Sequence, residues 1–195
     1  MTLHVVLASH NAHKIAEFQK ILGHDVPDIV IEAYDGPEPI EDGTSFDENA
    51  LIKARAAAAH TGRVALADDS GISVGIMGGA PGIFSARWSG TREDADNRRL
   101  LLAQLADIRG ANRAAQFHCS IAIVDPSTGS EQIARGEWPG SVALQETGEN
   151  GFGYDPIFVP EGYSVSSAEL PPDEKNEISH RARAFRAAAP ILRGL

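Results

Sequence analysis

The chain has 195 residues, 43% of them hydrophobic and 23% charged, which suits one sizeable core better than two independent domains. Its net charge of −10 argues against a general binder of nucleic acid or membrane surfaces, although a local basic pocket can still bind a small anion. The single cysteine, Cys119, excludes an intramolecular disulfide and fits a reducing compartment. We find no signal-peptide pattern and no apolar stretch near the ~20 residues of a membrane span. We therefore expect a cytoplasmic single domain over residues 1–195, with two lobes.

The N-terminal segment predicts a strand, a polar loop and a helix. Residues 3–8 are an apolar run, and helical spacing of apolar residues follows up to a stop at Gly23. Such a connection commonly presents backbone N–H groups to an anion. Lys14 lies near Asn11 at the start of this helix and is a candidate phosphate ligand; the alternative is a solvated surface lysine.

A second strand is predicted at 29–33, followed by a loop rich in proline and acids at 34–43. A capping residue, an acid three residues later and an alanine-rich body predict a helix from Thr44 to about His60. Asn49 and Lys53 are four residues apart on this helix, so their polar ends can converge.

An apolar strand at 64–67 leads into Asp68, Asp69, Ser70 and Gly71. We interpret this as a strand that ends at a site, with the glycine allowing an abrupt turn. Neighbouring side chains on a strand point to opposite faces, so the two carboxylates should not both face the same space. One of them would act as a metal ligand or general base while the other accepts hydrogen bonds. A polar turn without a catalytic role is the alternative.

The rest of the chain predicts short elements separated by glycine- and proline-rich turns. They are a strand at 72–74, a turn at 75–82, an extended piece at 87–88, a helix at 92–106, a hairpin at 114–138 that Pro139 and Gly140 break, a loop at 148–155, a strand at 157–159, a charged loop or short helix at 171–178, and a final helix capped by Ser179. Phe152 lies in the second glycine-rich loop, where it can stack on a base or plug the space under the loop.

No phosphate-binding Gly-Lys-Ser/Thr loop, dinucleotide-binding glycine motif, nucleophile elbow or Cys/His zinc cluster is present. Scattered acids and helical lysines remain. Carboxylates favour Mg²⁺, which usually bridges protein acids to substrate phosphates. Lysines and a helix N-terminus suit a polyphosphate.

Motifs spread from Leu7 to Arg181 resemble, in their order, those of the inosine triphosphate pyrophosphatase family, also called Ham1-like. They are Ser9-His10-Asn11-Ala12-His13-Lys14, Phe46-Asp47-Glu48-Asn49-Ala50 with Lys53-Ala54, Ala67-Asp68-Asp69-Ser70-Gly71, Gly79-Ala80-Pro81-Gly82 with Ser85-Ala86-Arg87, Phe117-His118-Cys119, Trp138-Pro139-Gly140, Gly151-Phe152-Gly153-Tyr154-Asp155-Pro156, and Lys175 with Ser179-His180-Arg181.

The resemblance implies an α/β fold with a long mixed β-sheet flanked by helices, two lobes around a central cleft, and a homodimer. It implies a hydrolase that cuts ITP, dITP and XTP to the monophosphate and pyrophosphate, which keeps these purines out of DNA and RNA. It also implies roles by position: Glu41 and Asp69 hold Mg²⁺, and Asp69 is the proton acceptor. The implied substrate contacts are Ser9, His10, Asn11, Ala12, His13, Lys14, Lys53, Ser70, Phe152, Gly153, Tyr154, Asp155, Lys175, His180 and Arg181.

Hypoxanthine and xanthine carry a 6-keto oxygen where adenine has an amino group. Donors from Lys175, His180 and Arg181 would suit that oxygen and would be left unpaired opposite an amino group, which rejects ATP. Guanine is also 6-keto, so this donor set does not explain how GTP is rejected. Asp42 beside Glu41, and Asp68 beside Asp69, leave open which acids bind the metal.

Three alternatives remain. A Maf-like pyrophosphatase has a related fold and acts on other nucleotides, but its motifs are missing here. A nucleotide sensor without turnover has no need of a water-activating acid beside a metal. In a purely structural domain the acids would be solvated, and Asp69→Asn would be nearly silent.

Overall fold

The computed structural model describes residues 2–195, apart from the side chains of His13 and Glu17. Its strands are β1 (Leu3–Leu7), β2 (Ile29–Ala33), β3 (Ala65–Val74), β4 (Ala114–Asp125), β5 (Ser130–Val142) and β6 (Phe158–Pro160). Its α-helices over the same range are α1 (Ala12–Asp25), α2 (Phe46–Thr61), α3 (Asp94–Gln104), α4 (Pro172–Ile178) and α5 (His180–Arg193). Among these described helices, none is long and apolar enough to cross a membrane.

The six strands form one sheet in the order β2, β1, β3, β4, β5, β6. β1 runs parallel to both β2 and β3, whereas β5 runs antiparallel to β6. β4 and β5 are neighbours joined by a turn in which the Gly129 N–H donates to the Asp125 carbonyl (2.9 Å). The predicted α/β fold with a mixed sheet is therefore confirmed, and so is the predicted hairpin.

The chain divides into two compact units. Unit 1 contains the residues up to Asp69 together with 119–136 and 181–195, and unit 2 contains 70–118 and 137–180. In unit 1, the rings of Phe18 and Phe185 meet edge to face at 4.5 Å within an apolar core that also buries Cys119. In unit 2, aromatic side chains from β4, β5 and β6 form a separate core. The single-domain, two-lobe organisation stays a prediction.

Local capping explains why α2 was predictable. The Ser45 hydroxyl accepts a hydrogen bond from the Glu48 N–H (3.2 Å), and Gly62 ends the helix at a φ of 67°, a left-handed conformation that glycine adopts without strain. The buried face consists of small residues that pack on the strands of unit 1: Ala50, Ala54, Ala57 and Ala58. Asn49 is buried together with these alanines, and Lys53 lies one turn further along the helix.

The predicted strand end at Asp68-Asp69 is wrong, because β3 continues through both acids and through Gly71 to Val74. The glycine is needed for close packing instead of a turn. A Cβ at Gly71 would collide with the Ser85 hydroxyl and the Gly82 carbonyl oxygen. The same hydroxyl accepts the Ile72 N–H (3.0 Å), so a segment 14 residues away fills the space beside the strand.

Three other predicted boundaries are also wrong. α1 continues past Gly23, and the Val26 N–H still donates to the Leu22 carbonyl (2.6 Å). β5 runs through Pro139-Gly140, where a Cβ on Gly140 would collide with β6, so the glycine again allows close approach. The piece at 87–88 is not extended, because a 3-10 turn spans Gly82–Arg87 and Trp88 has helical φ and ψ.

Asp47 anchors the first turn of α2 to the hairpin. Its carboxylate accepts hydrogen bonds from Arg135 Nε (2.9 Å) and from the Ser120 hydroxyl (2.6 Å). The hydrogen bond from Arg135, supported by the one from Ser120, outweighs burial and holds the pKa of Asp47 below its ordinary 3.8.

A carboxylate whose pKa is lower in the folded state stabilises the fold above its unfolded pKa, and this contribution is lost as pH falls through the folded pKa. We therefore expect Asp47→Asn to reduce the free energy of unfolding at pH 7 and to have a diminishing effect below about pH 4. Urea unfolding of both proteins across this pH range measures the difference. A difference that stays constant with pH would show that the ion pair contributes nothing.

Candidate active site

Lys53 contacts two acids within unit 1. Its Nζ lies 3.0 Å from Glu41 Oε2 and 3.2 Å from Asp69 Oδ1. Asn49, one turn earlier on α2, donates from Nδ2 to the other oxygen of Asp69 (3.3 Å). The predicted convergence of Asn49 and Lys53 is confirmed, and their meeting point is the carboxylate proposed from the sequence as the proton acceptor.

The neighbouring acid, Asp68, binds a different lysine. Lys14 Nζ lies 2.5 Å from Asp68 Oδ1, and the Asp68 side chain is only 4% exposed. Because β3 is a regular strand here, adjacent side chains point to opposite faces, and each acid meets its own lysine. This arrangement favours Asp69 over Asp68 as a metal ligand, because Asp68 is already enclosed with Lys14.

The pKa values of Asp68 and Asp69 are shifted in opposite directions. Burial raises the pKa of Asp69 above its ordinary range, and Lys53 offsets this only in part. Burial also acts on Asp68, but Lys14, Arg181 and Lys53 outweigh it and hold the pKa of Asp68 below its ordinary range. Burial opposes the charge of Lys53 as well, yet the surrounding carboxylates raise its pKa, with Asp69 contributing most. Asp68 is therefore held as an anion, while Asp69 has the greater affinity for a proton.

A cavity of about 180 Å³ in unit 1 is lined by both lysines and by the loops around them. The lining residues are Ala8, Ser9, His10, Lys14, Tyr34, Glu38, Pro39, Glu41, Lys53 and Asp68. Asn11 starts α1 by accepting the Lys14 N–H on its side-chain oxygen (3.3 Å), and the adjacent Ala12 is exposed. The backbone of His13 lies in α1, while its side chain is outside the described part of the chain. Ser9, His10 and Lys14 thus share one concave surface.

His10 is held in place by residues of the neighbouring loop. Its ring nitrogens lie 3.0 Å from the Gly36 carbonyl oxygen and 3.2 Å from Glu38 Oε1, and its ring stacks on Tyr34 at 5.7 Å. Tyr34 and Glu38 were not singled out from the sequence. A loop of prolines and acids carries no periodic signal that distinguishes a cavity wall from a solvated surface.

Unit 2 exposes an aromatic ring beside a lysine. Phe152 is 57% exposed, so its ring does not fill the space under the loop as a hydrophobic plug would. Lys175 Nζ lies 5.2 Å from the centre of this ring. Asp155 is buried and organises the loop: it accepts the Phe152 N–H (2.8 Å), pairs with Lys175 and accepts the Ser167 hydroxyl (2.9 Å).

The other residues predicted to contact the substrate differ in their burial and in their partners. Tyr154 is buried, its hydroxyl donates to the Ser85 carbonyl (2.8 Å), and burial raises its pKa. His180 is buried with its ring stacked on Phe117 at 4.7 Å. Ser70 is half-buried in β3. Gly153 has a φ of 60° in the exposed loop. Arg181 belongs to unit 1, where its charge acts on Asp68.

The sequence profile of the Ham1 family matches residues 5–191. The chain belongs to the Ham1 family. A dITP/XTP pyrophosphatase of Leifsonia xyli is 59% identical over 98% of this chain and 96% of its own length. A Ham1 protein structure from Coxiella burnetii superimposes with a TM-score of 0.91 at 41% identity, covering all of both chains. A nucleoside-triphosphatase structure from Mycobacterium abscessus, also described as a dITP/XTP pyrophosphatase, has a TM-score of 0.83 at 45% identity over 97% of this chain. These findings exclude the Maf-like alternative.

For a Ham1 protein, the donor set of unit 1 can be tested against Mg²⁺. The ion prefers oxygen ligands and is usually held by one or two carboxylates together with substrate phosphates and water. Glu41 and Asp69 share Lys53 as a partner, and the Glu41 side chain is 37% exposed, so this pair of carboxylates fits. No cluster of three or more His, Cys, Asp or Glu suited to a metal occurs among the residues that the structure describes. The site therefore fits an ion that also needs substrate oxygens.

Proposed function

We propose that this Ham1 family member is a nucleoside triphosphate pyrophosphatase that hydrolyses ITP, dITP and XTP to the monophosphate and pyrophosphate. Removing these nucleotides keeps them out of DNA and RNA. The observation that carries the proposal is the pair of lysine–carboxylate contacts on adjacent residues of β3, Lys14 with Asp68 and Lys53 with Asp69. The names of its relatives and their near full-length similarity support the same activity.

The two lysines bind the triphosphate. Lys53 is fully charged because the nearby carboxylates raise its pKa, and Lys14 stands in the first turn of α1. That turn contains no acidic residue, so the positive end of the helix dipole there favours an anion. Ser9, His10 and Asn11 form the loop that leads to this turn, Ala12 and His13 begin α1, and all five contribute to the phosphate side of the site. A polyphosphate chain bound there has its negative charge neutralised before reaction.

Asp69 accepts the proton of the attacking water. Water adds at the α-phosphorus, the bond from this phosphorus to the oxygen that bridges the α and β phosphates breaks, and pyrophosphate leaves with that oxygen and the electron pair of the broken bond, while the nucleoside keeps the α-phosphate as the monophosphate. The raised pKa of Asp69 makes it a better proton acceptor than an exposed aspartate. Glu41 and Asp69 would hold Mg²⁺, which when bound neutralises phosphate charge and orients the water.

The base of the nucleotide stacks on Phe152, whose exposed ring is a suitable platform. Ser70, Gly153, Tyr154 and Asp155 complete the substrate contacts. Lys175, His180 and Arg181 donate to the 6-keto oxygen of hypoxanthine and xanthine. An amino group at that position would leave buried donors unpaired, so ATP is a poor substrate.

We further infer that the enzyme works as a homodimer in the cytoplasm, as its family resemblance implies. Light scattering after gel filtration measures the mass of the particle. A particle of about 21 kDa at working concentration would exclude the dimer, because the chain itself is 20.7 kDa.

The reaction type is tested by incubating the protein with ITP and separating the products. We expect IMP and pyrophosphate in equal amounts with Mg²⁺, and no turnover after EDTA. Release of inorganic phosphate with IDP would identify a different bond as the one cleaved. Binding of ITP without any product would make the protein a sensor.

A further inference from the structure

Two side chains of helix α3 form hydrogen bonds with Gly153, the residue that follows Phe152 in the exposed loop. The Gly153 N–H donates to Asp94 Oδ2 (2.8 Å), and the Gly153 carbonyl accepts from Arg98 Nη1 (2.8 Å). Asp94 and Arg98 are four residues apart, so both side chains lie on the same face of α3. Both polar backbone groups of one loop glycine are therefore fixed by side chains from a single helix.

The Arg98 side chain and the C-terminal end of α3 have further contacts within unit 2. The Arg98 side chain is only 15% exposed, and its Nε lies 3.0 Å from Glu146 Oε2. Where the chain leaves α3, the buried Arg113 donates to the Leu105 carbonyl (2.7 Å) and to the Ile108 carbonyl (3.1 Å). Asp94 and Arg98 therefore project from a helix whose C-terminal end is held by hydrogen bonds from a buried arginine.

Gly153 has a φ of 60°, a left-handed conformation that glycine adopts without strain. One residue earlier, the backbone N–H of Phe152 donates to the Asp155 carboxylate. With Asp94 and Arg98 on the next residue, the backbone is fixed both at Phe152 and immediately after it, and this sets the direction of the exposed ring.

We propose that Asp94 and Arg98 are positioning residues that hold the Phe152 ring in the orientation that stacks on the base. The inference rests on the proposed function and deepens it, because it makes α3 part of the apparatus for base recognition. Neither residue takes part in the reaction at phosphorus. Their loss should weaken recognition of the base and leave the chemistry on the triphosphate intact.

The test compares ITP with methyl triphosphate, which has phosphates but no base. We expect Asp94→Ala and Arg98→Met each to raise KM for ITP by about tenfold or more, since a hydrogen bond to a charged group is lost, with kcat nearly unchanged. Asp94→Asn, which keeps an oxygen acceptor, should restore most of the affinity. Asp96→Ala is the matched control, because Asp96 is another first-turn acid of α3 and pairs with Arg99 at the surface (2.5 Å). It should leave KM unchanged.

A double-mutant cycle with Phe152→Ala separates positioning from general stability. If Asp94 and Arg98 act through the ring, their substitutions add little once Phe152 is absent, and kcat/KM for methyl triphosphate is the same in all variants. Equal losses on both substrates, or undiminished losses in the Phe152→Ala background, would overturn the inference. Lack of ITP turnover by the unsubstituted protein would overturn the proposed function together with it, whereas normal turnover with unchanged KM in the variants would overturn the inference alone.

Discussion

Replacing Asp69 by Asn is expected to lower kcat for ITP by about 10²–10⁴-fold, the usual contribution of a general base. Asparagine has nearly the same shape, and its amide oxygen can still accept from one of the two donors, Asn49 or Lys53, but it cannot take a proton from water. Lys53 also retains Glu41 as a partner, so we expect the fold to persist. Stopped-time assays of pyrophosphate release measure kcat, and circular dichroism checks the fold.

The matched control is Asp42→Asn. Asp42 is exposed and directly follows Glu41, the proposed metal ligand, so it is the alternative acid for that role. We expect this variant to keep its activity. If Asp42→Asn is as damaging as Asp69→Asn, the assignment of acids is wrong. If Asp69→Asn retains full activity, the acid is structural.

Lys53→Met is expected to lower kcat/KM for ITP by roughly 30-fold to several thousand-fold, the loss that follows when one partner of a buried, hydrogen-bonded charge pair is truncated. The substitution removes a proposed phosphate ligand and leaves Asp69 and Glu41 without their shared cation. The Lys53 side chain is only 15% exposed, so water replaces it poorly. Steady-state kinetics at saturating Mg²⁺ gives kcat and KM separately.

Lys20→Met provides the comparison, because Lys20 is an exposed lysine on α1 and changes the net charge by the same amount. Its kinetics should match those of the unsubstituted protein. A similar loss in both variants would mean that overall charge attracts the substrate, and it would remove Lys53 from the site. Methionine keeps the length of the lysine stem, so a loss of packing is not the cause of any difference.

The elements that sequence predicted well are those whose signals are local. The start and end of α2 depend on Ser45 and Gly62, which act on backbone groups within a few residues. The hairpin depends on the turn from Asp125 to Gly129. The convergence of the polar ends of Asn49 and Lys53 follows from their helical spacing, although their common partner, Asp69, is distant in the chain. In each predicted case the cause lies within a few residues of the feature.

What sequence did not predict depends on residues distant in the chain. Gly71 suggested a turn, but it is small because Ser85 packs against it, and no pattern near Gly71 indicates that contact. Lys14 and Asp68 are 54 positions apart, and their ion pair arises because β1, the strand that leads to α1, lies beside β3. The hydrogen bond between Asp94 and the Gly153 N–H joins residues 59 positions apart. An acid in the first turn of a helix is common enough to give no signal of such a role.

The most direct test of the central claim is a comparison of kcat/KM for ITP, dITP, XTP, ATP, GTP and dTTP with Mg²⁺, with pyrophosphate as the measured product. Selective recognition of 6-keto purines by donors around an aromatic platform predicts strong turnover of the first three and weak turnover of ATP. EDTA should abolish all of it. Equal turnover of ATP and ITP would contradict the donor account of base recognition, and a preference for dTTP would contradict the proposed substrate class.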